Sequence, residues 1–340
     1  MSNSSAPTSP PQAVLAQMIN GYWATGCICA VASLGLADAI GDAPRTPEAI
    51  ATELGLHARS LARLLRACAS LGVFAENDGG AFAHTPLSRA LRSDVPGSMR
   101  GLGEMTAMLH LRAWPEIAHS IRTGGTAFEK VFGAEIFDYL PANPEPAAVF
   151  DRAFAGYTAG GAAAVASVYD FSRFGTLVDV GGGNGALCAA ILERTPGLRG
   201  VTFDRPDVAP RAKAFLAARG LADRCEVAGG DFFESVPSGA DAYALKMILH
   251  DWDDARCVQI LRNIRKAIAP GGRILVMEAV VEGPNAGPPA KLLDINMLVM
   301  TGGEERTREE YAALFAKAGF VLDRVVPASP TVAVIEARPA

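Results

Sequence analysis

The sequence predicts an α/β protein. A Rossmann-like sheet, mostly parallel with an antiparallel hairpin at its C-terminal end, follows a mostly helical N-terminal region. Three observations lead to this prediction. Residues 12–165 carry helical patterns with short breaks, residues 176–337 alternate β-branched runs with helical stretches, and a glycine-rich turn follows the first of those runs. Strands that alternate with helices favour a parallel sheet with helices on both faces.

Seven apolar runs are the predicted strands of this sheet. They lie at 176–180, 200–204, 225–230, 242–249, 273–280, 320–326 and 331–337. The predicted helices between them lie at 185–194, 207–219, 254–269 and 307–318. Only the four residues PASP join the last two runs, which is too short for a parallel crossover. We therefore expect those two strands to pair as an antiparallel hairpin.

Residues 46–88 have the pattern of a winged helix. Thr46 followed by a proline starts a short helix, a second helix carries an apolar stripe, and two short strands flank a glycine-rich turn. Arg59, Arg63 and Arg66 fall on one face of the second helix. In a DNA-binding regulator this helix would enter the major groove. The alternative is a solvated helix face in a domain used for dimerisation.

Composition limits the possible partners. The net charge is −5, half of the residues are apolar and a fifth are charged, so we expect no bulk binding to nucleic acid or to an anionic membrane. No apolar run is expected to approach the roughly 20 residues of a membrane span. Residues 1–11 lack a basic region followed by an apolar core and are expected to be a disordered leader. Six scattered cysteines suit free thiols in a cytoplasmic protein.

The turn after the first predicted strand is a candidate ligand-binding loop. In LVDVGGGNGALCAAILERTPG, residues 177–197, glycines let the backbone turn sharply before a helix N-terminus with unpaired N–H groups. Gly181, Gly183 and Ala186 also satisfy the dinucleotide pattern G-x-G-x-x-G/A. On this loop alone, an NAD-dependent enzyme is an alternative.

The next two predicted strands end in polar and aromatic residues. Asp204 ends the second strand, where a carboxylate can accept hydrogen bonds from both ribose hydroxyls of an adenosine cofactor. Asp231 and Phe232 follow the third strand and offer an acceptor and an aromatic face. Ligands of open α/β folds bind at this end of the sheet. The sequence therefore predicts an adenosine-containing cofactor.

The segment ALKMILHDWDD, residues 244–254, ends an apolar run in a histidine followed by acidic residues. His250 is the candidate general base, because histidine titrates near ~6.5 and is largely neutral at cellular pH. Asp253 and Asp254 are expected to cap the following helix. Asp251 could position the base or turn the chain. His250, Asp251 and Asp253 could instead ligate a divalent metal.

Five motifs occur in order along the chain. They are LVDVGGGNG, FDRPDV, GDFFESVP, LKMILHDWDDARCVQILRNIRKAIAPGGRILVMEAV and GGEERTREEY. Over residues 12–337 the chain resembles the S-adenosylmethionine-dependent O-methyltransferases of the plant caffeate and isoflavone type, with their bacterial relatives in secondary metabolism. The resemblance implies a class I methyltransferase sheet. It also implies a winged-helix dimerisation domain at 12–100, a helical linker and substrate lid at 101–170, and an S-adenosylmethionine-binding catalytic domain at 171–340.

The resemblance implies roles for individual residues. Those expected to bind the cofactor, which leaves as S-adenosylhomocysteine, are Asp179, Gly181, Gly183, Asp204, Asp231, Phe232 and Lys246. The catalytic residues are expected to be His250, Glu278 and Glu305, with the two glutamates holding the histidine. The implied reaction is a metal-independent methyl transfer to a hydroxyl, in a homodimer joined through the N-terminal domain. Some relatives methylate nitrogen or catalyse other reactions, so both remain alternatives.

The acceptor site is the least defined part of the sequence. Met297 matches a substrate-contacting methionine of the plant enzymes, Met300 lies one helical turn beyond it, and Phe154 and Trp252 are further candidates. Core packing is the alternative for each of these side chains. HLRAWPEI and AFEKVFGAEIFDYL resemble lid segments of the bacterial relatives. We therefore expect a polyketide-like or other small aromatic acceptor.

Overall fold

A computed structural model describes residues 10–340, without the side chains of 157–159. The expected leader, 1–11, lies outside the described residues except for its last two prolines. The chain forms two compact units. The first contains the residues up to Leu109 together with Ala148–Gly156, and the second contains His110–Ala147 and Tyr157–Ala340. These limits differ from the expected divisions at 100 and 170, because residues 101–109 and 148–156 belong to the first unit and the rest of 101–170 belongs to the second.

The first unit consists of helices and one small hairpin. Its elements are α1 (Pro11–Ile19), α2 (Tyr22–Ser33), α3 (Leu36–Ile40), α4 (Pro47–Leu54), α5 (Ala58–Ser70), β1 (Phe74–Glu76), β2 (Phe82–His84), α6 (Pro86–Arg89) and α7 (Arg100–Met105). As predicted, the Thr46 side chain caps α4 by accepting from the Ala49 N–H. β1 and β2 pair antiparallel. Helices α4 and α5 with this hairpin form the predicted winged-helix arrangement.

One sequence expectation about this unit is wrong. Residues 11–33 are long and apolar enough to cross a membrane by length and composition, with a mean hydropathy of 1.3. They contain no charged side chain. Scattered Gln, Asn, Gly and Thr residues interrupt the apolar sequence, so the segment contains no long unbroken apolar run. The membrane-length helix was therefore not predicted from the sequence. Only 11% of it is buried, so α1 and α2 present a largely exposed apolar surface.

The second unit contains the large sheet. Its helices are α8 (Leu111–Ala113), α9 (Ile117–Thr123), α10 (Ala127–Phe132), α11 (Ile136–Ala142), α12 (Pro144–Val168), α13 (Ala186–Arg194), α14 (Ala209–Ala218), α15 (Asp254–Ala267), α16 (Pro288–Met300) and α17 (Arg308–Lys317). Its strands are β3 (Thr176–Val180), β4 (Arg199–Asp204), β5 (Cys225–Gly229), β6 (Ala242–Lys246), β7 (Arg273–Glu278), β8 (Phe320–Ser329) and β9 (Val332–Pro339). The middle of α12 belongs to the first unit.

The sheet has the predicted class of topology. The strand order is β5-β4-β3-β6-β7-β9-β8. The first five strands are mutually parallel, whereas β9 runs antiparallel to both of its neighbours. Apolar clusters cover both faces of the sheet. Because the chain runs outward from β3 in both directions, the carboxyl end of β3 is the switch point at which open α/β sheets bind ligands.

Two predicted boundaries shift in ways that matter for the site. The run 242–249 is a strand only as far as Lys246, because Met247 has a φ of +56° and a short 3-10 turn follows at Leu249–Asp251. His250 therefore lies on a tight turn and not at the end of an extended strand. The β8–β9 hairpin is confirmed, but its strands extend to leave a two-residue turn.

Position 303 requires a glycine, because the backbone of the His250 turn lies very close to it. A Cβ atom at this position would overlap the carbonyl oxygen of His250. We expect Gly303→Ala to lower the free energy of unfolding by about 1–3 kcal/mol, because the backbone cannot yield as a flexible side chain would. Gly283→Ala is the matched control, since a Cβ there meets no atom within 4 Å. Chemical denaturation compares the two, and equal stabilities would contradict the expectation.

Candidate active site

The glycine loop lies at the switch point of the sheet. Gly181 and Gly183 have φ values of +70° and +56°, which side-chain-bearing residues rarely adopt. The N–H of Gly183 donates to the Asp204 carboxylate over 2.8 Å. A Cβ at Gly181 would overlap Ile248 and come within 3.7 Å of the Phe232 ring. The loop is thereby held between the ends of β4 and β6, close to the residues predicted to surround the cofactor.

Two buried ionisable groups lie on neighbouring strands below this loop. Asp179 on β3 is 1% exposed, and its Oδ2 atom has no hydrogen-bond partner among the described residues. Burial raises the pKa of Asp179 to about 7. Lys246, at the end of β6, is also buried, and desolvation lowers its pKa to about 8. An unsatisfied acceptor beside a buried ammonium group suits a bound zwitterion.

The other predicted cofactor residues differ in how their side chains are held. Both Asp204 oxygens accept backbone N–H groups, from Gly183 and Arg205. Burial raises the pKa of Asp204, and these two hydrogen bonds oppose the rise. Asp231 is exposed and accepts the N–H of Phe233 over 2.8 Å, closing a local turn. Asp204 therefore has fixed geometry, whereas Asp231 is held only by its own turn.

His250 forms the best-defined contact of the site. Its ring is 4% exposed, and Nδ1 lies 2.6 Å from Oε1 of Glu305, whose side chain is fully buried. An ionised carboxylate only accepts hydrogen bonds, so Nδ1 carries a proton in this contact, and in the neutral ring the free lone pair is on Nε2. The nearest acid to Nε2 is Asp251, at 3.8 Å, which is too long for a hydrogen bond. This arrangement leaves Nε2 able to accept a proton.

The electrostatic surroundings of His250 differ from the sequence expectation. Burial lowers the pKa of His250, but the charges of Asp251, Glu305 and Glu278 outweigh it and raise the pKa to about 9. His250 therefore holds a proton more readily than the sequence expectation of a largely neutral ring assumed. The cause is the number of carboxylates, since each favours the imidazolium. Burial also raises the pKa of Asp251, to about 7.

Glu278 contacts the turn that carries His250 and not the imidazole. Its Oε1 atom accepts the backbone N–H groups of Ile248, Leu249 and His250 over 2.6–3.2 Å. Of the two glutamates expected to hold the histidine, Glu278 therefore contacts its backbone N–H and Glu305 contacts its ring. β7 lies beside β6, so a side chain at the end of β7 reaches the first N–H groups of the turn that follows β6. Glu278 fixes where His250 is placed, and Glu305 fixes its ring.

Tyr311 is a contact that sequence reasoning missed. This buried residue on α17 donates its hydroxyl to Oε2 of Glu278 over 2.6 Å. Asp294 was also missed, and its carboxylate accepts the N–H of Glu305 over 2.9 Å. The tyrosine of the GGEERTREEY motif could have been predicted to lie near the site, because it follows Glu305 closely in the helix that begins within this motif. Asp294 carried no comparable signal.

Removing the Tyr311 hydroxyl is expected to lower the free energy of unfolding. Tyr311→Phe leaves one oxygen of a buried carboxylate without its donor, and hydrogen bonds to charged groups contribute about 1.5–3 kcal/mol. Tyr243→Phe is the matched control, because that buried hydroxyl donates to the neutral carbonyl of Pro237. We expect a smaller loss there, about 0.5–1.5 kcal/mol. Urea denaturation of both variants checks the order, and a larger loss for Tyr243→Phe would contradict it.

The residues predicted to contact the methyl acceptor do not all belong to the same unit. Trp252 is half-buried, stacks on Phe137 of α11 at 5.1 Å and meets the edge of Phe233 at 4.9 Å. Met297 and Met300, on α16, are 6% and 2% exposed. These three belong to the same unit as His250. Phe154 belongs to the first unit, where its ring packs on Phe150 at 4.4 Å.

The expected helix cap is present, and the metal alternative has no support. Asp253 caps α15 by accepting the N–H of Arg256 over 2.8 Å. Asp254 instead pairs with Lys317 over 2.6 Å. Within residues 10–340, no group of three His, Cys, Asp or Glu side chains is arranged to hold a metal ion.

Comparison with known protein families identifies both units. The O-methyltransferase domain family matches residues 114–321, and the O-methyltransferase dimerisation domain family matches residues 16–94. The second match includes most of the apolar segment formed by α1 and α2. Its family therefore accounts for that exposed surface as part of a dimerisation domain.

Individual relatives agree with these matches. The chain is 46% identical to the phenazine O-methyltransferase PhzM of Lysobacter antibioticus, over 99% of both chains. It is 38% identical to 8-amino-8-demethylriboflavin N,N-dimethyltransferase of Streptomyces davaonensis, over 98% of both chains. The crystal structure of human N-acetylserotonin methyltransferase in complex with SAM superposes with a TM-score of 0.90, at 29% identity and over 100% of both chains.

These findings agree with the geometry of the second unit. The parallel sheet, the glycine loop at its switch point and the strand-end carboxylates form a class I methyltransferase fold, and the solved relatives bind S-adenosylmethionine or its product. The protein is an S-adenosylmethionine-dependent methyltransferase. The chain belongs to the plant-type O-methyltransferase family, among relatives from bacterial secondary metabolism.

Proposed function

We propose that the protein methylates a phenolic hydroxyl of a small aromatic or polyketide-like natural product, with His250 as general base. The observation that carries this proposal is the 2.6 Å contact between Nδ1 of His250 and the buried Glu305 carboxylate. A histidine held in this way accepts a proton at Nε2 and is stabilised once charged. The names of the relatives support aromatic acceptors, since they include phenazine and hydroxybenzoate methyltransferases.

The cofactor supplies an electrophilic sulfonium methyl group. The residues of the chain prepare the oxygen that receives it. A phenol titrates near ~10 and is a poor nucleophile while protonated. A base whose pKa is about 9 lies close to that value, so removal of the phenol proton by Nε2 of His250 is nearly balanced in free energy. Glu305 stabilises the imidazolium that results.

The proposed cofactor site combines the loop with the strand ends around it. The residues proposed to bind S-adenosylmethionine are Asp179, Gly181, Gly183, Asp204, Asp231, Phe232 and Lys246. The unsatisfied Oδ2 of Asp179 suits the amino group of the methionine part, which carries a positive charge. Asp204, already fixed by two N–H groups, has the remaining lone pairs that ribose hydroxyls need.

Within the second unit, the acceptor contacts are proposed at Trp252, Met297 and Met300. Trp252 is the best supported, because it lies two residues after His250 and its ring packs on the lid helix α11 through Phe137. The buried methionines offer an adaptable apolar surface for a flat ring.

Methylation of nitrogen is the second candidate. It is favoured by the 38% identity to a relative whose name is that of an N,N-dimethyltransferase. Neutral amines are nucleophilic without loss of a proton, so this reaction depends less on His250. The NAD-dependent enzyme and the DNA-binding regulator receive no support from the comparisons, although Arg59, Arg63 and Arg66 are exposed.

The proposal is tested by product analysis. The wild-type protein is incubated with methyl-labelled S-adenosylmethionine and a panel of catechols, flavonoids, hydroxyphenazines and hydroxylated polyketides. We expect label on a phenolic oxygen, located by mass spectrometry and NMR, and no change when a chelator is added. Label on nitrogen alone, or a rate abolished by the chelator, would contradict the proposal.

A homodimer through the first unit is also proposed. Met18, Ile19 and Trp23 are 71%, 70% and 58% exposed, and the dimerisation family match covers all three. We expect sedimentation at the mass of two 35.5 kDa chains and weaker association in Ile19→Glu. Gln17→Glu, exposed on the same helix, is the control for added charge. A monomeric wild type at micromolar concentration would contradict this proposal.

A cytoplasmic location is proposed on the evidence of the cysteines. All six lie within the described residues and are free thiols, which suits a reducing compartment. Fractionation of cells that produce the protein tests the location.

A further inference from the structure

Arg306 is a buried arginine beside the proposed catalytic pair. It directly follows Glu305 in the chain, and its side chain is 1% exposed. Arginine is almost never fully buried unless its charge is paired, because removal from water is costly. The structure pairs it with Asp254 at 3.2 Å and Glu304 at 3.1 Å, both of which are half exposed. These two ion pairs balance the positive charge of the buried arginine.

Arg306 also donates hydrogen bonds to backbone carbonyls on either side of His250. Nη1 donates to the carbonyl of Leu249 over 3.3 Å, and Nη2 donates to the carbonyl of Trp252 over 3.1 Å. These carbonyls lie one residue before and two residues after His250. Nη1 also donates to the carbonyl of Glu304 over 3.4 Å. One planar guanidinium thus joins the turn that carries the base to the loop that carries its acidic partner.

The turn is therefore held from two sides. Glu278 accepts its N–H groups from β7, and Arg306 donates to its carbonyls from the GGEERT loop. The contact between His250 and Glu305 lies between these two supports. Because Glu305 and Arg306 are adjacent in the chain, we expect a displaced Arg306 backbone to shift the Glu305 carboxylate relative to the imidazole.

We propose that Arg306 is a positioning residue for methyl transfer, which aligns the His250 turn with Glu305 and has no contact of its own with the reacting atoms. This proposal rests on the proposed function, in which His250 is the base. Lysine cannot substitute, because a single ammonium group cannot span two carbonyls and two carboxylates in one plane. A purely stabilising role would require only the charge and the volume.

Two variants separate these roles. Arg306→Lys keeps the charge without the planar fork, and Arg306→Met keeps the volume without any donor. Arg324→Lys is the matched control, because Arg324 pairs with Glu336 at the far edge of the sheet, on β8. Only protein shown to be folded by circular dichroism is assayed, and S-adenosylmethionine affinity is measured by calorimetry.

We expect both Arg306 variants to lower kcat by roughly 10–100-fold, with cofactor affinity changed less than about twofold, since small misplacements of catalytic groups carry such costs. Arg324→Lys is expected to keep the wild-type rate. Wild-type kcat in either folded Arg306 variant would overturn the proposal. Two variants of different size and charge are used so that failure of one to fold leaves the other as the test.

The titration of His250 provides a readout independent of catalysis. Nitrogen-15 NMR of the imidazole follows its pKa, which the charges of Asp251, Glu278 and Glu305 raise. Loss of the Arg306 charge alone would raise that pKa, whereas a loosened Glu305 contact lowers it. We expect a lower pKa in Arg306→Met, and an equal or higher one would overturn the positioning role. Because this readout needs no acceptor, it stands even if His250→Gln keeps its rate and the proposed base is wrong.

Discussion

His250→Gln is expected to slow methyl transfer to a phenol by about 10²–10⁴-fold while cofactor affinity stays within about twofold. The magnitude is that of a lost general base. Glutamine retains a side-chain amide that can still contact Glu305, so the loop geometry is preserved, but it cannot accept the phenol proton. Rapid-quench transfer of a labelled methyl group gives the rate, and calorimetry gives the affinity.

The matched control for this variant is His119→Gln. His119 lies in the same unit, on α9, and its ring contacts only Thr123 among the bonds described for it. We expect the wild-type rate there. A loss limited to a few-fold in His250→Gln would show that the proton leaves by another route, and nitrogen methylation would then become the favoured function.

Glu305→Gln is expected to lower the rate roughly 10–100-fold and to move the pH dependence, since a carboxylate that orients a catalytic histidine contributes on this scale. A base must be neutral to act. With a pKa of about 9, His250 becomes neutral only as the pH rises, so the wild-type rate in the free enzyme should increase up to about pH 9. Loss of the Glu305 charge lowers that pKa, and the rising limb should shift to lower pH.

Glu309→Gln is the control for this shift. Glu309 is exposed in the first turn of α17, so its substitution removes one carboxylate from the same segment without touching the imidazole. The pH profile of kcat/KM, measured with a saturating cofactor concentration, distinguishes the two variants. A rising limb that stays in place in Glu305→Gln would mean that a group other than His250 controls it.

Much of the fold could be predicted from local pattern. The central parallel strands β3, β6 and β7 are almost wholly buried, so they appear as short apolar runs, and the predicted site residues lie at or near their carboxyl ends. The end of β6 was mispredicted because Met247, Ile248 and Leu249 are as apolar as the strand before them. Leu249 is fully buried although it lies in a tight turn, so hydrophobicity alone gave no sign that the strand stops at Lys246.

The site residues could be listed from sequence, but their contacts could not. Glu278 and Glu305 are both acids near His250, yet one holds backbone N–H groups and the other holds the ring. That difference depends on ångström-scale placement of β7 and of the GGEERT loop. The pKa of His250 likewise depends on three carboxylates drawn from separate segments. Arg306 lies within the GGEERT motif, but the carbonyls of Leu249 and Trp252 that it contacts lie more than 50 residues earlier in the chain.

The most direct test of the central claim uses two methyl acceptors that differ only in the reacting group. An aromatic ring with a hydroxyl and the same ring with an amine are each offered to wild type and to His250→Gln with labelled cofactor. The account predicts transfer to the hydroxyl by wild type and at least ~100-fold slower transfer by the variant. Transfer to the amine alone, at a rate that His250→Gln leaves unchanged, would contradict it.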